Sequence, residues 1–133
     1  MFKEAYQLVR EILADEQLNA HIAEVTGKHL AVIDAGVKVS APCAAISVNG
    51  GSCSRRTNSN AEIGFIVSFI LPFWGTDAFM KCIDFVDFAL PIFFDYKDRH
   101  NFILRAAPGI YEPDKVGSQF WTVDFLLTVS AFV

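Results

Sequence analysis

The residues best equipped for chemistry are few and scattered. His21, His29 and His100 are the candidate metal ligands and bases. His21 has Glu24 three residues on, which would share its face on a helix. No H-x-x-x-H spacing and no cysteine completes a ligand set, so all three read as surface or boundary histidines. Cys43, Cys53 and Cys82 are widely spaced with no C-x-x-C pair. That odd count fits reduced thiols in a cytoplasmic protein better than a disulfide framework. A nucleophilic Cys43 or Cys82 needs a histidine beside it. Cys43 begins a small-residue strand and Cys82 falls between stripe residues of a helix, so both read as packing residues. Asp84 and Asp87 occupy neighbouring helix positions; acid–base work or cation binding competes there with a solvated side. Asn49-Gly50-Gly51-Ser52 has the small residues of a phosphate cradle but no Lys-Ser/Thr and no following helix, so it reads as a turn. Arg55 and Arg56 form a local positive tip on a chain of net charge -4. That charge gives no basic footprint for nucleic acid. No catalytic, cofactor or metal site emerges.

The elements that position these residues are built around 61–94. Ile63, Phe65, Val67, Phe69 and Leu71 alternate at the strand period of two. The opposite face runs Glu62, Gly64, Ile66, Ser68, Ile70, polar first and then apolar. This predicts a central strand covered on both faces along its second half. Pro72 weakens pairing, Gly75 loosens the chain, and Thr76 or Asp77 can cap a helix. Phe79, Ile83, Val86, Leu90 and Phe93 then step by four and three, one helical stripe expected to pack on the sheet. Pro91 predicts a kink or an end near 88–95.

Before this unit, residues 2–14 read as a helix with Ala5, Leu8, Val9, Ile12 and Leu13 inward. Residues 15–25 extend it or form a second helix, with Asp15 as a cap and Gly27 as a stop. Residues 30–33 suggest an edge strand, and 43–48 a strand of small residues. Asn49-Gly50 is a hairpin signal leading into a polar arm over 49–60. After the helix, 95–101 reads as a charged turn and 102–107 as a strand. Pro108-Gly109 and Glu112-Pro113-Asp114 mark a long hairpin connection. The last strand, 119–133, lines Trp121, Val123, Phe125, Leu127 and Val129 on one face. The fold class is α+β: a mainly antiparallel four- to five-stranded sheet, an N-terminal helix and a central amphipathic helix, in α-β-β-α-β-β order.

At 133 residues the chain reads as one domain, with 53% hydrophobic residues and 13 Phe. Either the sheet is buried on both faces or other subunits cover part of the apolar surface. The longest nearly uncharged run, 63–76, is shorter than the ~20 residues of a membrane span. Lys3, Glu4, Arg10 and Glu11 interrupt any signal-peptide core.

The second half has a distinctive order. A strand ends at Leu71-Pro72, and an acidic-capped helix follows from Asp77, with Met80 and a late Pro91. Then come a strand, a Gly109-x-Tyr111 turn region, an acidic loop at Glu112 and Asp114, and a terminal strand. With the N-terminal helix and the length, this resembles the tail terminator (tail completion, minor tail protein U-like) proteins of long-tailed bacteriophages and prophages. The resemblance spans most of 2–133, best in 61–133 and least in 26–48. It implies a structural, non-enzymatic subunit without cofactor, forming a homohexameric ring that caps the finished tail tube. Such a ring stops tube polymerisation and joins the head. The implied partners are further copies of the chain, the tail tube protein and a head-completion or connector protein. The implied location is the virion tail, assembled in the bacterial host cytoplasm. The family supplies no motif to carry over, so site residues are chosen physically. Arg55, Arg56 and Asn58 on the arm, and Tyr111 and Asp114 in the second loop, are the protein-binding candidates; plain solvated loops are the competing reading. Another neck protein of similar fold is one alternative. A small α+β enzyme or ligand-binding domain, with polar groups converging between sheet and helix, is the other.

Overall fold

In the computed structural model, the described residues are 2–34, 41–53, 60–96, 102–113 and 120–132. They form three helices and a five-stranded sheet: α1 (Phe2–Leu13), α2 (Glu16–Thr26), β1 (Ala31–Asp34), β2 (Cys43–Cys53), β3 (Asn60–Leu71), α3 (Ala78–Asp95), β4 (Ile103–Tyr111) and β5 (Trp121–Phe132). The sheet order is β1-β2-β3-β5-β4. Every pairing is antiparallel except β1 with β2. The expected edge strand is therefore present and runs parallel to its neighbour. Helix α3 carries the chain from β3 to β4, and β5 returns between them, a split crossover.

Strand β3 lies at the centre of this order, as its alternation predicts. Ile63, Phe65, Val67, Phe69 and Leu71 are buried in one core with residues from all three helices. Its other face differs from expectation. Ile66, Ser68 and Ile70 are only half-buried and lie outside that core. The cross-strand register puts Ser47, Ile66 and Leu126 side by side on this second face. The described helices pack on the first face, so no described helix covers the second.

The core is an aromatic cluster. Phe69 meets Phe85 at 5.0 Å and Phe125 at 5.7 Å between ring centroids, both edge to face. Phe93 meets Phe125 at 4.6 Å with the rings nearly perpendicular. Edge-on contacts set the positive ring edge against a negative face, which adds to the gain from burial. The predicted stripe of α1 is buried at all five positions.

The segment after α1 is a separate helix. The Leu18 backbone amide donates to the Asp15 carboxylate at 3.0 Å, satisfying an orphan amide of the first turn. The Tyr96 hydroxyl donates to the other carboxylate oxygen at 2.9 Å. One side chain thus caps α2 and ties it to the end of α3. Gly27 closes α2 in the left-handed region, φ 75°, where a side chain would be strained.

Three local expectations are corrected. Asn49-Gly50 is not a hairpin turn. It lies inside β2, where the register with β3 shifts between Val48 and Gly50 and Gly50 has φ 109°. The flexible pair makes a bulge, and pairing continues to Cys53 opposite Ala61. Pro108-Gly109 is likewise within β4, not in a connection, so the Gly109-x-Tyr111 region is strand. β4 is an edge strand, where a proline can turn its missing amide away from the ladder. Finally, α3 is rotated from its predicted orientation. Its buried residues are Ala78, Cys82, Phe85, Ala89, Ile92 and Phe93, whereas Phe79 is half exposed. This helix is apolar nearly all round, so two stripes share the four-three spacing. The one with small Ala78, Cys82 and Ala89 lets the backbone approach the sheet. Pro91 lies on an exposed side, and the helix runs on to Asp95. Asp77 stands at the N-cap position but its side chain makes no cap bond; it pairs with Lys81 at 3.6 Å.

Candidate functional site

The rotation of α3 decides the fate of the reactive residues. Cys82 is fully buried under the helix, and burial pushes its thiol from 9.0 up to about 11. Cys43 is also buried and its thiol is pushed up by the same desolvation. A nucleophilic cysteine needs the thiolate, and this environment disfavours it. The shift also has a stability consequence. The folded state favours the protonated thiol, so the contribution is fully present below pH 9 and is lost as pH rises through 11. At 1.36 kcal/mol per unit the loss is about 2–3 kcal/mol. Denaturant titrations between pH 8 and 11 should show this decline, and Cys82→Ala should flatten it. An equally steep decline in the variant would assign the effect to other groups.

His21 stacks face to face on Phe88, with centroids 4.0 Å apart and planes 15° apart. It is a packing residue between α2 and α3. His29 is exposed, and His100 lies outside the described residues. No group of three or more candidate metal ligands exists among the described residues. Asp84 and Asp87 are exposed on the outer side of α3. Asn49, Gly50, Gly51 and Ser52 belong to β2 and precede no helix. No polar or charged residue among those described is buried in the core. A cavity of about 340 Å³ lies between α2 and α3 against His21, Val25, Phe73, Lys81 and Asp84.

Of the protein-binding candidates, Arg55, Arg56, Asn58 and Asp114 lie outside the described residues. Tyr111 ends β4 and is 57% exposed. Its ring folds back over Gly109, where an added Cβ would come within 3.1 Å of the hydroxyl. Both residues border a surface cavity of about 300 Å³ with Asn49, Ile66, Asp124 and Leu126. One oxygen of Asp124 is buried there without a hydrogen-bond partner among the described residues. On the same open face Arg105 pairs with Glu62 at 3.2 Å, and the Ser130 hydroxyl donates to that carboxylate at 3.4 Å.

Two apolar features were not legible as sites. Just past β3, Trp74 is 81% exposed, with half-exposed Phe79 and Met80 at the start of α3. Further back along the sheet, a cavity of about 550 Å³ is lined by Phe2, Lys3, Tyr6, Val48, Gly50, Ile63 and Phe65. Val48 falls on the core side of β2, opposite Phe65, yet is 64% exposed. Isolated exposed apolar residues are ordinary, but an indole, a phenyl and a thioether exposed within one short stretch of chain make a candidate contact surface. The sequence signal was the run Leu71-Pro72-Phe73-Trp74. It carries two aromatics into the connection after β3, where Phe73 is taken into the core and Trp74 is left outside it.

No family model and no curated protein matches this chain. A solved structure does match: a chain from the virion of a native gene transfer agent (GTA) particle. The TM-score is 0.53 and the identity 18%, over 96% of this chain and 91% of that chain. At this identity the likeness is one of fold. The helix and sheet arrangement described above is thus an architecture found in a virion particle. No described helix is long and apolar enough to cross a membrane.

Proposed function

We propose that the protein is a structural component of a phage-like virion, and that it acts as the tail terminator. In this reading the chain forms a homohexameric ring on the finished tail tube, ends tube polymerisation and offers the surface that the head joins. The observation that carries the reading is the near end-to-end match in fold to a virion chain. The segment order of 61–133 supports the finer assignment, and exposed apolar residues at Trp74, Phe79 and Met80 supply surface for a ring to cover. The protein then works by contact, as a non-enzymatic subunit. It is assembled in the host cytoplasm and ends in the virion tail, with tube protein on one side and a head-completion or connector protein on the other. Arg55, Arg56 and Asn58 are the proposed docking residues of the arm, joined by Tyr111 at the end of β4 and Asp114 in the segment after it.

Native mass measurement and electron microscopy test the ring. Purified protein is expected to form closed rings, and adding it to polymerising tube protein should shorten the tubes. A strictly monomeric protein that also leaves tube growth unchanged sinks the proposal. Binding to head-side proteins alone would move it to a neck connector. Joint replacement of Arg55→Glu and Arg56→Glu should weaken docking and leave Tm nearly unchanged.

A further inference from the structure

We propose that Trp74 of one copy seats in the Phe2–Val48 cavity of the next copy, joining copies head to tail. This inference rests on the ring-forming reading above and names the contact that builds the ring. Trp74 is 81% exposed, which leaves most of a large apolar side chain in water. Tryptophan carries much of the affinity of many interfaces because it buries so much area in one rigid group. The cavity is its complement. Its volume of about 550 Å³ accommodates an indole, and its walls are Phe2, Tyr6, Val48, Ile63 and Phe65.

The occupant is a second copy for three reasons. The knob and the hole lie on the same chain, so each copy brings both in equal amounts. They also lie toward opposite ends of the sheet. Phe65 is in the first half of β3 and Trp74 lies beyond its end at Leu71. Six strand residues alone separate the two by about 20 Å. Two unlike patches that far apart make a heterologous contact, which closes into a ring or extends as a filament. Charge is complementary as well. Lys3 borders the cavity, whereas in the segment that follows Trp74 Lys81 is paired with Asp77 and exposed Asp84 adds one further negative charge.

The test uses the full chain and two variants at exposed positions. Trp74→Ala removes the knob, and Val48→Arg fills the hole with a charge. Each alone is expected to weaken association at least about thirtyfold by light scattering, with Tm unchanged. An equimolar mixture should give a one-to-one heterodimer and nothing larger. The Val48→Arg copy still offers its Trp74, and the Trp74→Ala copy still offers its cavity. If Trp74→Ala assembles as the wild type does, this contact is wrong while the ring reading stands. If both variants are monomers that do not pair when mixed, the cavity is not the receptor. A wild-type protein that stays monomeric overturns this contact, and one that also leaves tube growth unchanged overturns the ring reading with it.

Discussion

Phe69→Ala is expected to destabilise the protein by about 3–5 kcal/mol, the range for deleting a buried phenyl and leaving a void. Phe69 is fully buried on the central strand. Its ring lies 5.0 Å from Phe85 and 5.7 Å from Phe125, so one deletion removes edge contacts to both α3 and β5. Partial collapse is hard on the β5 side, where the sheet register fixes Phe125. Against a total stability of about 5–15 kcal/mol, this is a large fraction. Chemical denaturation at neutral pH measures it as a lower midpoint with a nearly unchanged slope. A loss below about 1 kcal/mol would show that the cluster is not the centre of the core.

The second large effect separates the two candidate faces of α3. Phe85→Ala should cost about 3–5 kcal/mol, because Phe85 is fully buried against Phe69 and Phe125. Phe79→Ala should cost less than about 1 kcal/mol, because half of that side chain is already in water and its ring contact is with Trp121 at 5.9 Å. The two substitutions delete the same atoms from the same helix, so propensity and unfolded-state effects nearly cancel between them. Equal costs would rotate the helix back to the stripe of Phe79, Ile83, Val86 and Leu90. The rest of that stripe, Ile83, Val86 and Leu90, is half-buried, with Val86 and Leu90 packed against the edge of the core.

The candidate site was less readable than the fold. The polar arm and second loop stand out by composition, and of their five candidates only Tyr111 lies among the described residues. Trp74 and Val48 have ordinary apolar identities, and only their exposure sets them apart. Exposure depends on what packs nearby, which no single residue type announces. The Asp124 oxygen is similar. An aspartate on the polar face of β5 reads as solvated, and only the fold buries one of its oxygens, beside the cavity that Gly109 and Tyr111 border.

Local patterning by itself determined the central strand, the inward faces of α1 and β5, the Asp15 cap and the Gly27 stop. In each case a short period or a single backbone requirement leaves one answer. Tertiary structure decided the rest. Helix α3 carries apolar residues nearly all round, so sheet packing chose the face with small side chains at Ala78, Cys82 and Ala89. Asn49-Gly50 and Pro108-Gly109 permit turns but do not compel them. Pairing with β3 made the first a bulge, and an edge position made the second tolerable in a strand. The feature with the clearest functional meaning, an exposed Trp74 and an open apolar cavity toward opposite ends of one sheet, exists only once the strands are aligned.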